Sequence, residues 1–283
     1  MQLFSLRRQC IALLEASEIP QSSYEADLIF SYILSVDRAK LHADRERDVT
    51  EIEASQILDL IRRRAEHVPM AQLLRSSYFY GRKFFVDEHC LTPRPETEVL
   101  VRSILERLPQ PALYFADWCT GSGCIGLSLL AEKTGWRGIG VDASISALSV
   151  AWQNSKIFGM HSRFLLWHSA NPCRTPLGEK QLDFIVANPP YIPTAELSTL
   201  MPEVREHEPR MALDGGGDGL DFYRLFLTVF PRWLAIGGFI FFETGGPEQI
   251  SAMKQWRFPQ LSFEYSLFDD FGVKRFMVWR RSA

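Results

Sequence analysis

Apolar positions recur at helical spacing through the first 75 residues. Leu3, Leu6, Cys10, Leu13 and Leu14 line one face of a helix that Pro20 closes. A second helix opens with Ser22 and Glu25 in capping-box spacing, where side chains satisfy the free N–H groups of the first turn, and it runs through Leu28, Ile29, Tyr32 and Ile33. Thr50 and Glu53 open a further helix in the same way, leading into Ile57, Leu58 and Ile61. Arg62, Arg63 and Arg64, beside Asp59 and Glu66, read as a solvated helix face rather than a basic patch. Residues 1–75 therefore predict a small helical domain.

The pattern changes at Tyr78. Aromatic and β-branched residues around Gly81-Arg82-Lys83 predict a β-hairpin, with 76–94 as the linker. From 95 to 283 helical and strand patterns alternate. Helices are expected from Pro95, from Gly123, over 145–157, from Leu220 and over 247–256. Strands are expected at 113–117, 138–142, 163–167, 182–187 and 239–243. Such alternation builds an α/β fold, a parallel sheet with helices on both faces. Two closing strands, 261–267 and 275–279, share a short loop and add an antiparallel edge. Asp214 to Gly219 resembles a calcium loop only superficially, because its ligand spacing is wrong, and reads as a flexible turn.

Composition narrows the classes. The chain has 283 residues, 46% hydrophobic and 23% charged, as expected of a globular protein with a substantial core. The longest apolar stretches, Trp118–Ala131 and Trp233–Phe242, are too short to span a bilayer. Arg7 and Arg8 precede an apolar run that Glu15 ends without a small-residue cleavage site, so no signal peptide is read and a cytoplasmic location is expected. Cys10, Cys90, Cys119, Cys124 and Cys173 are odd in number and lack zinc-ligand spacing, which predicts reduced thiols and no metal. His168 and His207 have no partners at ligand spacing. Net charge is −3, and ten basic against twelve acidic residues in the first 75 give no excess for nucleic acid.

Two segments carry candidate chemistry. Phe115 to Gly126 reads as a strand, a glycine turn and a helix start, where Cys119, Thr120, Gly121, Ser122 and Gly123 let a ligand approach the backbone and a helix N-terminus offers N–H groups. A tight structural turn is the plain alternative. Asp142 ends the next strand about twenty residues on, where a carboxylate can accept ribose hydroxyls. Asp117 has the wrong sign for a pyrophosphate and the right one for an ammonium and a sulfonium, which points to S-adenosylmethionine. The second segment, Asn188-Pro189-Pro190-Tyr191, follows a buried-strand pattern. Proline leaves carbonyls unpaired within a rigid backbone, Asn188 offers an acceptor and donors, and Tyr191 adds a flat face. These groups can hold a planar amide or an exocyclic base amine, or they can simply end a strand.

Together, Asp117-x-Cys119-Thr120-Gly121-Ser122-Gly123, the acidic strand end and Asn188-Pro189-Pro190-Tyr191 resemble the S-adenosylmethionine-dependent N5-glutamine methyltransferases that modify peptide chain release factors (PrmC/HemK). Pro93-Arg94-Pro95-Glu96-Thr97-Glu98, Glu208-Pro209 through Leu220, and Asp270-Phe271-Gly272 with Arg275 match further family signatures, so the resemblance covers most of the chain. It departs at His168-Ser169-Ala170-Asn171, where Ser169 replaces an acidic residue near the cofactor's adenine, and at Pro69–Arg75, which lacks a customary glycine.

The resemblance implies a Rossmann-like class I methyltransferase domain with a helical N-terminal domain joined by a hairpin. It implies cofactor contacts from Asp117, Cys119 to Gly123, Asp142, Ala170 and Asn188, with Arg94, Thr97, Glu98 and Ser169 nearby. Asn188 to Tyr191 would hold the substrate glutamine of the Gly-Gly-Gln motif in class I release factors, docked by the helical domain and hairpin. A monomer with no direct nucleic-acid partner is expected. Glutamine methylation of a ribosomal protein, adenine N6 methylation of DNA or RNA, and a catalytically silent binding module are the alternatives.

Overall fold

The computed structural model describes residues 2–44, 47–174, 176 and 178–282, which divide into two units, Met1–Ser76 with Met201–His207, and Ser77–Leu200 with Glu208–Ala283. The chain runs α1 (Leu3–Ala16), α2 (Ser22–Leu34), α3 (Arg38–Ala43), α4 (Glu51–Ala65), α5 (Met70–Leu73), β1 (Ser77–Phe79) and β2 (Arg82–Phe84). Next come α6 (Glu98–Arg107), β3 (Tyr114–Trp118), α7 (Cys124–Glu132), β4 (Arg137–Asp142), α8 (Ile145–Ile157), β5 (Phe164–His168) and β6 (Leu182–Ala187). It ends with α9 (Pro202–Arg205), α10 (Asp221–Val229), β7 (Leu234–Glu243), α11 (Pro247–Met253), β8 (Leu261–Phe268) and β9 (Lys274–Arg281).

In the helical unit the apolar faces of α1, α2 and α4 bury Leu6, Leu14, Ile29, Phe30, Ile57 and Ile61. Thr50 and Glu53 form the expected reciprocal cap of α4. The cap expected at Ser22 and Glu25 is absent. Gln21 takes the cap position with φ 54°, Ser22 is already helical, and its hydroxyl donates to the Ile19 carbonyl at 2.6 Å. Glu25 instead accepts from Arg64 Nη2 at 3.1 Å and Nε at 2.5 Å. A charge-assisted, two-pronged bond outcompetes a capping bond. Arg64 is thus 3% exposed, and the solvated face is confined to Arg62 and Arg63. Glu203, distant in sequence, adds a second carboxylate to Arg64 at 3.1 Å.

In the second unit seven strands lie in the order β5-β4-β3-β6-β7-β9-β8, parallel apart from the antiparallel pairing of β9 with its two neighbours. Side chains alternate between faces along each strand. Phe115, Phe184, Val186, Phe239 and Phe241 pack on the face covered by α6 and α7. Ala116, Trp118, Ile185, Ala187, Ile240 and Phe242 pack on the face covered by α10 and α11. The chain leaves β3 towards β4 on one side while β6 pairs with β3 on the other, so a crevice opens at the carboxyl ends of β3 and β6. The hairpin is shorter than expected and turns at Tyr80-Gly81, with Glu98 accepting from the Tyr80 N–H at 2.8 Å. Strand β7 starts earlier than expected, because Gly238 lets it pass close to the Asp183 carbonyl. Among the described residues no helix is long and apolar enough to cross a membrane.

Candidate active site

Parallel register aligns the strand ends. Trp118 pairs with Val141 and with Ala187, and Ala187 pairs with Phe242. One position further along, Asp142, Cys119, Asn188 and Glu243 form a row across the carboxyl edge of the sheet. At this edge a cleft is lined by Arg94, Thr97, Cys119, Thr120, Gly121, Ser122, Asp142, Asn188 and Pro190, with Cys90, Cys124, Met211 and Phe222 among its apolar wall.

The glycine loop is built by unusual backbone. Cys119, Gly121 and Gly123 have φ of 60°, 54° and 80°, so the chain folds back tightly between β3 and α7. Asn154 on α8 supports it from behind, with Nδ2 donating to the Ser122 and Phe85 carbonyls at 2.9 Å each while Oδ1 accepts from the Phe85 N–H at 2.8 Å. Asp142 accepts from the Gly121 N–H (Oδ2, 2.9 Å) and the Ser144 N–H (Oδ1, 2.9 Å). Burial still holds its carboxyl above the ordinary range.

Asp117 is fully buried on the α7 face. Its Oδ2 accepts from Thr120 Oγ1 at 2.7 Å and from the Gly126 N–H at 2.9 Å, and Oδ1 has no partner among the described residues. Burial raises it to about 7, against the pull of those two bonds and with the help of the Asp142 charge. Asp117 and Gly123 sit behind the residues that line the cleft, of which Asp142 is the acidic one. A buried carboxylate with an unpaired oxygen fits an ammonium ligand, and Asp142 fits a ligand's hydroxyls.

Pro189 and Pro190 are buried, and Tyr191 packs half-buried on the α10 and α11 core. Neither Pro189 nor Tyr191 lines the cleft itself. The loop after Asn188 is clamped. Gln249 Nε2 donates to the Tyr191 carbonyl at 2.8 Å, and Ile192 exchanges backbone bonds with Leu213 and Gly215. A Cβ at Gly215 would lie 2.7 Å from Tyr191 Cα, and one at Gly219 would lie 2.2 Å from the Tyr191 carbonyl oxygen. Asp214 to Gly219, expected as a flexible turn, is therefore a packed brace, pinned also by Thr194 Oγ1 to Asp214 at 2.6 Å.

Of the remaining expected residues, Arg94 reaches the cleft and pairs with buried Glu208 at 2.6 Å. Thr97 lines it too, its buried hydroxyl beside the Glu243 carboxylate. Glu98 braces the hairpin outside the cleft lining. Ser169 and Ala170 also lie outside it, the Ser169 hydroxyl donating locally to the Asn171 carbonyl at 2.8 Å. Glu243, Gln249 and Asn154 are absent from the sequence-based expectations. Glu243 carried a visible signal, since it closes an apolar strand just as Asp117 and Asp142 do near theirs. The Asn154 bonds span 32 and 69 positions and the Gln249 bond to Tyr191 spans 58, beyond the reach of any local pattern.

Residues 5–74 match the family model for the PrmC N-terminal domain, and 96–217 match that for the methyltransferase small domain. The chain is 39% identical to a release factor glutamine methyltransferase of Caulobacter vibrioides, covering 82% of this chain and 80% of the relative. It is 38% identical to the one from Geobacter sulfurreducens (80% and 78% covered) and 36% identical to the one from Bacillus cereus (88% and 89%). Among solved structures, the hMettl16 catalytic domain in complex with MAT2A 3′UTR hairpin 6 shares the fold at a TM-score of 0.54 and 13% identity, with 81% and 82% covered. With this much of each relative aligned, the chain belongs to the release factor glutamine methyltransferase family.

Proposed function

We propose that this protein transfers a methyl group from S-adenosylmethionine to the side-chain amide nitrogen of the Gly-Gly-Gln glutamine in class I peptide chain release factors. The observation that carries this reading is the shared cleft. Asn188 and Pro190 lie on the same walls as Thr120, Gly121, Ser122 and Asp142, so an amide clamp and a donor site face one volume.

Asp117 would receive the cofactor's ammonium through Oδ1, Asp142 its ribose hydroxyls, and the 119–123 loop its methionine portion. The cofactor supplies an electrophilic methyl group on a sulfonium. An amide nitrogen is a weak nucleophile because its lone pair is delocalised into the carbonyl. The Asn188 side-chain carbonyl and the Pro189 backbone carbonyl accept its two hydrogens, and Tyr191 packs on the amide plane. The nitrogen gains positive charge as it reacts, so acceptors held rigid by the Gln249 and Gly215 braces stabilise the transition state more than the ground state. No strong base is needed, because the proton becomes acidic once the nitrogen is methylated. Residues 1–75 and the hairpin are the proposed docking surface for the protein substrate.

Incubation with labelled S-adenosylmethionine and a release factor tests the reading. Label is expected on the wild-type factor and not on one whose Gly-Gly-Gln glutamine is changed to Ala; equal label on both rejects it. Asn188→Ala is expected to lose roughly 100-fold or more in turnover while still binding cofactor.

A further inference from the structure

Glu243 ends β7 at the position next to Asn188. The two follow a registered pair, Ala187 and Phe242, on adjacent parallel strands about 4.8 Å apart. Alternation puts both side chains on the α6 face, since Asn188 continues Phe184 and Val186 while Glu243 continues Phe239 and Phe241. Glu243 is 2% exposed, and its Oε2 has no partner among the described residues. A buried carboxylate with an unused oxygen is costly unless something needs it.

Asn188 needs it. A carboxamide carries a donor end and an acceptor end that differ little in shape, and half a turn of the group exchanges them. Only the oxygen-outward orientation can accept from a substrate amide. Resting on the methyltransferase reading above, we propose that Glu243 is a positioning residue, whose carboxylate accepts a hydrogen bond from Asn188 Nδ2 and so turns the Asn188 carbonyl towards the substrate glutamine. The acceptor is then selected by charge, because an ionised carboxylate can only accept. When protonated, Glu243 can donate to the Asn188 oxygen instead, which presents the wrong end of the amide to the cleft.

The surroundings poise this group near neutrality. Burial raises Glu243 to about 7, opposed by Thr97 from the turn before α6, by the Arg275 guanidinium on β9 and by Asn188, and reinforced by the charge of Glu96. Tyr191, Tyr223 on α10 and Cys124 on α7 also face it, and all three are held neutral by burial. The Tyr223 hydroxyl donates to the Glu243 backbone carbonyl at 2.7 Å, fixing the strand end without using the carboxylate.

Turnover at saturating cofactor and release factor, measured from pH 5.5 to 8.5, tests the assignment, because saturation removes pH effects on binding. Wild-type kcat should rise about tenfold per pH unit on the acid side and level off near 7. Glu243→Gln, itself an ambivalent amide, should lower the plateau by roughly tenfold or more, leave KM for the release factor within about twofold, and abolish the acid limb. A variant that keeps both the wild-type plateau and the acid limb overturns the proposal. A second measurement uses the wild-type chain alone. The 15N–1H signals of the Asn188 carboxamide, assigned by their loss in Asn188→Ala, should shift with a single midpoint near pH 7; signals that stay fixed overturn it. If wild type methylates no release factor at any pH, the proposed function fails, and the carboxamide titration still decides the Glu243–Asn188 bond.

Discussion

Asp117 and Gly126 are joined by a 2.9 Å hydrogen bond from the backbone N–H of the first turn of α7 to Oδ2 at the end of β3. A helix start leaves N–H groups without partners inside the helix, and here a buried carboxylate takes one of them. The bond orients the carboxylate so that Thr120 occupies the same oxygen and Oδ1 has no partner among the described residues. That oxygen is the one proposed to meet the cofactor's ammonium.

Cofactor affinity should therefore depend on pH in a defined direction. Asp117 in the free protein is raised to about 7, so acid neutralises the group that would meet the ammonium. The dissociation constant should increase by up to about tenfold per unit below pH 7, and level off above it until the cofactor's own amino group loses its proton near pH ~8. Asp117→Asn should weaken binding by about 1.5–3 kcal/mol, roughly 10- to 100-fold, and flatten the acid slope. Titration calorimetry at several pH values reads both effects.

Gly126→Ala should disturb the same carboxylate through packing. Its Cβ would lie 2.7 Å from the Phe164 ring and 3.0 Å from Asp117 Oδ2. Overpacking of this kind costs about 1–3 kcal/mol. Thermal unfolding should show the loss, and cofactor affinity should fall with it; an unaltered affinity would mean that Asp117 tolerates the shift.

Asn154→Ala removes the support of the glycine loop. The buried Ser122 carbonyl and the half-buried Phe85 N–H and carbonyl each lose their hydrogen bond to Asn154 at once. Each lost hydrogen bond contributes about 0.5–1.5 kcal/mol, so urea unfolding should show a loss of roughly 2 kcal/mol or more. Cofactor binding should weaken as well, although Asn154 does not line the cleft.

Arg64→Ala should destabilise the helical unit by about 3–5 kcal/mol, because it leaves Glu25 and the Val68 carbonyl without their buried partner. The paired change Arg64→Met with Glu25→Leu should recover much of that loss. Denaturant midpoints with constant m-values check both; a surface-like effect under about 0.5 kcal/mol for Arg64→Ala would refute the burial argument.

Local pattern reached far into this molecule. The helices over 145–157 and the strands over 182–187 appear at their expected bounds, because period 3.6 and period 2 burial are written in consecutive residues. The glycine loop and the Asn188 tetrapeptide were equally legible, since special backbone and unpaired carbonyls require particular residue types. Ser22 with Glu25 shows where this stops. Their spacing satisfied a capping rule, yet a buried arginine 39 positions away offered Glu25 a stronger bond.

The sequence alone determined the α/β class and the family resemblance, and it supplied the residues proposed to meet cofactor and substrate. Only the tertiary structure decided which strand ends stand side by side. Strand order and register are set by packing and hydrogen bonding between segments far apart in the chain, which no local pattern records. Register brings Glu243 beside Asn188, 55 positions apart in number yet one strand away, and folding the 214–219 loop onto Tyr191 converts a glycine-rich turn into a brace. The residue types of the Asn188 tetrapeptide were visible in sequence, while the orientation proposed for its amide depends on neighbours in space.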